Sequence, residues 1–259
     1  MIHGLLAEAP ADRPAVSFGD STLSYRELGS LSGRLAKSMD DAAGGADVTG
    51  MRVAVVAPNT PLLVAALFAA WRLGAVAVPL SSRLRERELE LTLADAEPLV
   101  VCSIAKHGGY AFRDILPRLS LPSVRGFLFG SAEGELERAV AGTGAGHVRA
   151  SEPFAAEIAA LLYTSGTTGI PKGVLVSHRR ELEGSRFLAD TLELREEESV
   201  GHVAPIPHAF GLTCLHATLR PARTPCSSSR RSRRGRSSRR SKRAVRPFCT
   251  ARRPSSSRS

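Results

Sequence analysis

Two hydrophobic patterns follow one another in the first part of the chain. Residues 15–18 and 21–24 are short extended stretches on either side of Gly19-Asp20, a pair that tolerates the positive backbone angles of a tight turn. From residue 25 onwards, apolar residues recur at intervals of three and four: Leu28, Leu31, Leu35 and Met39. This interval is typical of a helix with one buried face. The pattern predicts a β-hairpin followed by an amphipathic helix.

The next segments alternate between continuous apolar runs and helical spacing. Residues 52–57 form a run that stops at Pro58-Asn59, as expected for a strand buried on both faces. The segments after it are predicted in order as a helix over 62–73, a strand over 75–78, a helix over 85–94 and a strand over 99–102. Strands that alternate with helices predict a parallel sheet with helical crossovers. We therefore expect a layered α/β fold with mainly parallel strands, helices on both sides and an incomplete C-terminal edge.

The pattern is less regular in the second half. Gly126 to Phe129 could form a further strand, and residues 142–146 could form a flexible turn. Residues 158–163 and 173–177 are two apolar extended segments on either side of a stretch rich in Gly, Ser and Thr. We expect this stretch to be a loop between two strands.

Charge divides the chain into two parts. Of its 259 residues 43% are hydrophobic, enough for a large core, and the formal net charge is +10. Residues 217–259 hold 14 Arg, 1 Lys and no acidic residue, so residues 1–216 carry a net charge of −5. The tail also contains 11 Ser. We predict a folded domain over 1–216 and a disordered Arg/Ser-rich tail over 217–259.

Two interpretations of the tail stay open. A basic arm would bind RNA, DNA or anionic lipid in a salt-dependent way, although Phe248 is its only aromatic residue. A frameshift is the other: read from the third base of the Pro221 codon, GC-rich codons permit the apolar sequence Gly-Ala-His-Ala-Val-Leu-Leu-Glu. We favour the frameshift, and a nucleic-acid partner follows only if the arm is real.

The cysteines and the apolar runs point to an ordinary intracellular chain. The four cysteines form no Cys-x-x-Cys pair and have no histidine at zinc-finger spacing: Cys102, Cys214, Cys226 and Cys249. We expect reduced thiols and no metal knuckle. The start of the chain does not resemble a signal peptide, and the longest apolar run, Leu62 to Trp71, is too short to span a bilayer. These features predict a cytoplasmic protein without a transmembrane segment.

The loop between the last two predicted strands carries groups that suit a triphosphate. Hydroxyls and a cation supply hydrogen bonds and charge, and glycines let backbone amides approach the ligand. The residues concerned are Thr164, Ser165, Gly166, Thr167, Thr168, Gly169 and Lys172. The loop is not a Walker A motif, because Pro171 and Lys172 stand where that motif needs Gly-Lys before Ser or Thr.

These residues carry a family resemblance. The stretch Tyr163-Thr-Ser-Gly-Thr-Thr-Gly-Ile-Pro-Lys-Gly173 resembles the signature loop of the adenylate-forming superfamily, which includes acyl-CoA synthetases, peptide-synthetase adenylation domains and luciferases. Residues 23–28, 77–80 and 205–212 resemble other landmarks of that superfamily. The resemblance covers about residues 13–216.

The resemblance implies a chemistry. Such enzymes join a carboxylic acid to ATP, release pyrophosphate, and pass the acyl group from the adenylate to the thiol of coenzyme A or of a carrier-protein pantetheine. Carried over by position, the loop residues above would bind the β- and γ-phosphates. His208 and Gly211, in a Pro-x-x-His-x-x-Gly segment, would line the acyl pocket. Pro207 departs from the family's usual residue there.

The resemblance also implies parts that this sequence does not show. It has no Tyr-Gly-x-Thr-Glu segment, whose Glu would hold Mg²⁺, no ribose-binding Asp and no small domain with a catalytic Lys. We therefore expect the N-terminal part of an acyl-CoA synthetase-like enzyme, with no catalytic residue assigned and no complete adenylation by this chain. A peptide-synthetase adenylation domain and a basic-tailed nucleic-acid-binding protein are the alternatives.

Overall fold

A mixed sheet forms the centre of the fold in the computed structural model, which describes residues 1–142, 157–164, 171–195 and 199–220. A two-stranded hairpin precedes this sheet, and the other seven strands found in those ranges belong to it. The strands are β1 (Pro14–Phe18), β2 (Ser21–Ser24), β3 (Arg52–Val56), β4 (Val76–Leu80), β5 (Val100–Ile104), β6 (Gly126–Gly130), β7 (Leu136–Ala141), β8 (Ile158–Thr164) and β9 (Lys172–Ser177).

Helices connect the strands of the sheet. They are α1 (Leu5–Glu8), α2 (Tyr25–Ala42), α3 (Pro61–Arg72), α4 (Glu86–Ala96), α5 (Phe112–Ile115), α6 (His178–Thr191) and α7 (Ala209–Leu219), with short 3₁₀ turns at Ile2–Gly4 and Leu116–Arg118. The predicted hairpin and the predicted elements between residues 25 and 104 are confirmed, with ends that differ by a few residues. None of the helices in the described ranges is both long and apolar enough to cross a membrane.

The sheet order is β7-β6-β5-β3-β4-β8-β9. The pairs β3–β4, β3–β5, β5–β6 and β4–β8 are parallel, whereas β6–β7 and β8–β9 are antiparallel. The connection through α3 leads to one side of β3, and the connection through α4 leads back to its other side. Because such crossovers are right-handed, α3 and α4 lie on opposite faces of the sheet. The predicted α/β fold with a mainly parallel sheet is confirmed, and its two outer described strands are antiparallel.

Helix α3 is the most deeply buried helix of the described chain. Every residue from Pro61 to Trp71 is buried, so the helix packs on all sides rather than along one stripe. The indole N–H of Trp71 donates a 2.7 Å hydrogen bond to the backbone oxygen of Ala159 in β8. Strands β4 and β8 pair only at Ala77 and Ala160, and the Trp71 bond adds a second attachment for β8.

Helix α2 begins at a capping box. The Ser24 hydroxyl accepts a hydrogen bond from the Glu27 N–H at 3.2 Å, and the Glu27 carboxylate accepts one from the Ser24 N–H at 2.7 Å. The Tyr25 hydroxyl donates to the backbone oxygen of Leu219 at 3.0 Å. The landmark at residues 23–28 therefore sets the start of α2 and also holds the last residue of α7.

The second half differs from the sequence expectation in several places. Strand β7, helix α6 and helix α7 were not predicted. Helix α7 continues past residue 216, where the folded part was predicted to end, and both Ala217 and Leu219 are buried. The strand at Gly126–Gly130 is present, and the predicted turn at 142–146 lies outside the described residues after Gly142. The tail from residue 221 onwards also lies outside them.

Candidate functional site

The β8–β9 hairpin brings two of the predicted phosphate-binding residues together. Thr164, the last residue of β8, pairs with Lys172, the first residue of β9, and both side chains are exposed. The Thr164 hydroxyl lies 3.5 Å from the backbone oxygen of Lys172. Five other predicted residues lie outside the described residues: Ser165, Gly166, Thr167, Thr168 and Gly169. The structure therefore defines the two ends of the loop.

This loop begins at the carboxyl edge of the parallel strands. Strand β8 runs parallel to β4, so Thr164 lies at the same edge as the ends of β3, β4 and β5. Ligands of open α/β sheets bind at this edge, where loops from neighbouring strands meet. The hairpin thus presents a cation and a hydroxyl where the topology favours a ligand.

A tyrosine fixes the base of the loop. The Tyr163 hydroxyl donates a 2.5 Å hydrogen bond to the Asp95 carboxylate of α4. Burial and this hydrogen bond raise the pKa of Tyr163, so the phenol stays protonated and keeps donating. Its ring also lies beside Gly173, the paired residue on β9, where an added Cβ would come within 2.8 Å of the Leu161 side chain. The end of β8 is therefore held by Asp95 of α4 and by the close approach of Gly173 on β9.

Asn59 holds a second loop at the same edge. It follows β3, and its amide nitrogen donates to the backbone oxygens of Ala204 at 2.8 Å and His202 at 3.3 Å. Its amide oxygen accepts from the Ile206 N–H at 3.0 Å. Strands β3 and β8 are separated by β4 alone, so the carboxyl ends of these two strands lie about 10 Å apart. Asn59 thereby holds residues 202–206 at the edge of the sheet where β8 ends.

His202 continues this network towards α7. Its Nε2–H donates to the Gly211 backbone oxygen at 3.0 Å, which leaves Nδ1 to face the Asn59 amide nitrogen at 3.4 Å. Burial lowers the pKa of His202, consistent with a neutral ring that donates through one nitrogen and accepts through the other. Asn59 and His202 together connect the end of β3 with the first turn of α7.

The two residues predicted for the acyl pocket lie at the start of α7. His208 is its N-cap, with an exposed side chain that makes no capping hydrogen bond. The backbone turns at Pro205 before it enters this helix, and the His208 N–H donates to the Pro205 oxygen at 3.0 Å. Gly211 is buried, and a Cβ there would lie 2.0 Å from that same oxygen.

Sequence reasoning missed Asn59, His202 and the pairing of Tyr163 with Asp95. The signal available for Asn59 was its position directly after a buried strand, at the edge where loops bind ligands. No local pattern marks the other two. Across the described ranges, no three His, Cys, Asp or Glu side chains come together as a metal site.

Comparisons with known proteins identify the relatives of this chain. The family model described as AMP-binding enzyme matches residues 6–235. The chain is similar to the feruloyl-CoA synthase of an Amycolatopsis species, with 32% identity over 80% of this chain and 39% of that protein. It is also similar to the 3-hydroxybenzoate–CoA ligase of Aromatoleum sp. (strain CIB), with 33% identity over 75% of this chain and 37% of that protein.

Among solved structures, apo MatB from Rhodopseudomonas palustris resembles the chain with a TM-score of 0.67 and 25% identity. The match covers 84% of this chain and 43% of MatB. The chain thus spans about two fifths of the length of these relatives.

Proposed function

The chain belongs to the AMP-binding enzyme family, and from that premise we propose that it supplies the triphosphate-binding part of an ATP-dependent carboxylic acid:thiol ligase. In the proposed reaction, a carboxylate oxygen of the acid attacks the α-phosphorus of ATP, and the bond to the bridging oxygen of pyrophosphate breaks. The thiol of coenzyme A then attacks the acyl carbon, and AMP leaves. The similarity to several CoA ligases supports coenzyme A as the acceptor.

The observation that carries this proposal is the position of Lys172. Its side chain is exposed, it follows a hydroxyl-rich loop, and it stands at the carboxyl edge of the sheet. An ammonium group there would offset the negative charge on the β- and γ-phosphates, and more so as pyrophosphate departs. Thr164 would add a hydroxyl donor from the opposite strand, and residues 165–169 would add hydroxyls and backbone amides.

The acid is proposed to lie near the start of α7. Asn59 and His202 connect residues 202–211 to the segment after β3, at the edge of the sheet that also carries Lys172, and this supports the exposed His208 as a contact for the acid. An acid bound between these two loops would present its carboxylate to the α-phosphate. His208 is then a contact for the acid rather than a group that reacts.

Replacing Lys172 tests the proposal. We expect Lys172→Met in the full 259-residue chain to weaken ATP binding about tenfold to a hundredfold, since a charge-assisted contact contributes roughly 1.5–3 kcal/mol. Lys37→Met is the matched control, because Lys37 is exposed on α2 and pairs with Asp41 at 3.1 Å. Isothermal titration with ATP measures both. Equal affinities for the two variants would count against the proposal.

A further inference from the structure

Glu181 and His216 form a buried pair that the proposed reaction does not use. Glu181 lies in the first turn of α6 and His216 near the end of α7, and their side chains are 5% and 0% exposed. Glu181 Oε1 lies 2.8 Å from His216 Nδ1. A carboxylate accepts only, so the imidazole donates through Nδ1.

One carboxylate contacts two turns of α7. The hydroxyl of Thr213 donates to Glu181 Oε2 at 3.3 Å, while Oε1 faces His216. Thr213 and His216 are three residues apart and therefore lie on one face of the helix. Slippage of α7 by one turn, about 5.4 Å, or a rotation about its axis would break both bonds. The two contacts fix the position of α7 along and around its axis.

The surroundings of the pair are apolar and aromatic. The His216 ring lies 5.1 Å from the Trp71 ring and 6.3 Å from the Phe68 ring, measured between centroids. His216 Nε2 is buried and has no hydrogen-bond partner among the described residues. His178, in the first turn of α6, lies close enough to His216 for that residue to contribute to the lowering of its pKa. Burying polar and ionisable side chains is costly, and apolar side chains of similar volume often give equal stability. We therefore look to the specification of one arrangement as the role of this pair.

We infer that Glu181 and His216 are positioning residues that hold α7 in register against α6. Helix α6 follows β9 directly, and β9 carries Lys172, whereas α7 begins at His208 and contains Gly211. The pair thus keeps the acid-side segment at a fixed position relative to the phosphate-side strand. This inference rests on the proposed function for its consequence, because the two segments form one site only in that proposal.

Hydrogen–deuterium exchange of the full chain tests the inference. Glu181→Gln removes the carboxylate charge and keeps nearly the same side-chain shape. We expect the amides of residues 209–219 to exchange at least tenfold faster in this variant, whereas the exchange rates of amides in β3 and β4 should change less than threefold. Glu181→Asp retains the carboxylate and should restore part of the protection. Glu183→Gln is the control, since Glu183 is exposed on the same helix and pairs with Arg179 at 2.9 Å.

Faster exchange throughout the chain in Glu181→Gln would overturn the inference, because the pair would then contribute only to overall stability. Unchanged exchange would overturn it as well. If Glu181→Gln does not fold, Thr213→Val is the deciding variant. It removes only the hydrogen bond from Thr213 to Glu181, and it should increase the amide exchange rate of residues 209–219 selectively. ATP affinity of wild type is measured alongside: a chain that binds no ATP contradicts the proposed function but leaves the exchange result intact.

Discussion

Gly211 allows the backbone at Pro205 to lie directly against the first turn of α7. A Cβ at this position would be 2.0 Å from the Pro205 oxygen and 3.0 Å from the Ile206 Cα, and backbone atoms cannot rotate out of the way. The same turn carries the Gly211 oxygen that accepts from His202. The glycine of the Pro-x-x-His-x-x-Gly segment therefore has a packing role that can be tested separately from any contact with the acid.

We expect Gly211→Ala to lower the free energy of unfolding by about 2 kcal/mol, from an overpacking cost of roughly 3 kcal/mol and a gain of about 1 kcal/mol in helix propensity. Gly184→Ala on α6 is the control. Its Cβ would meet only the Thr213 side chain at 3.7 Å, an ordinary contact, so stability should be unchanged or should rise by up to about 1 kcal/mol. Urea denaturation measures both variants, and similar destabilisation of the two would refute the close-approach argument.

Single residues differ in how far sequence could predict them. Thr164 and Lys172 were predicted to bind phosphate because their chemistry lies in one continuous stretch between two apolar segments, and that role stays a prediction. Asn59 was not identified, because its partners at residues 202–206 are more than 140 positions away in the chain. Tyr163 and Asp95 were not paired either, because they are 68 positions apart in the chain. Local pattern reveals which groups are present, whereas long-range hydrogen bonds depend on the topology.

The N-terminal turn attaches to α6 through a histidine. His178 is 6% exposed, and its Nδ1 accepts from the Ile2 N–H at 3.4 Å. Burial lowers the pKa of His178 to about 4, with further contributions from the positive N-terminus, His3 and His216. The folded chain therefore favours the neutral ring, which the hydrogen bond from Ile2 also requires.

This attachment predicts a pH dependence of stability. Between about pH 6.5 and pH 4 the unfolded chain binds a proton at His178 that the folded chain does not, so stability present above about pH 6.5 is lost as the pH falls towards 4. The loss is on the order of 3 kcal/mol at most. His178→Asn keeps an acceptor and should flatten the dependence measured by urea unfolding. His107→Asn, at an exposed position, should leave it unchanged; equal slopes for both variants would be the contrary result.

At the level of elements, periodicity located the strands and helices between residues 14 and 104 well. Hydrophobic periodicity did not predict helix α7, because this helix is apolar on nearly every side, with six of its residues buried, and so shows no helical period. Strands β8 and β9 run in opposite directions because the few residues between them are too short to contain the crossover that a parallel pair needs.

For the molecule as a whole, β9 is the outermost described strand on its side of the sheet, and it is apolar. Val174 is 50% and Leu175 is 53% exposed, and neighbouring residues of a strand point to opposite faces. Among the described residues, this edge strand therefore presents an apolar side chain on each face. Outer strands of this kind can pair with the strands of other molecules.

We expect Leu175→Lys to reduce concentration-dependent aggregation, since a lysine on an edge strand opposes pairing with another chain. Leu91→Lys is the control, because Leu91 is similarly exposed, at 48%, but lies on α4 rather than on a sheet edge. Light scattering of the full chain over a range of concentrations measures the effect. Equal improvement by both substitutions would show that added charge, rather than the edge, is responsible.

The class of the fold and the family of the chain were within reach of the sequence, because α/β alternation and a continuous eleven-residue motif are both local. The sequence did not predict how β8, residues 202–206 and α7 are brought to one edge of the sheet. That arrangement depends on contacts of Asn59, Trp71 and Glu181 with distant segments. The proposed site is therefore assembled by tertiary contacts around a locally encoded loop.

Hydrogen–deuterium exchange of the full chain with and without MgATP tests the central claim most directly, because it locates the nucleotide. The account predicts that protection is concentrated in peptides covering residues 163–175, extends to residues 199–208, and is absent from the β1–β2 hairpin. Saturating nucleotide that leaves residues 163–175 unprotected, or that protects another part of the chain instead, would contradict it.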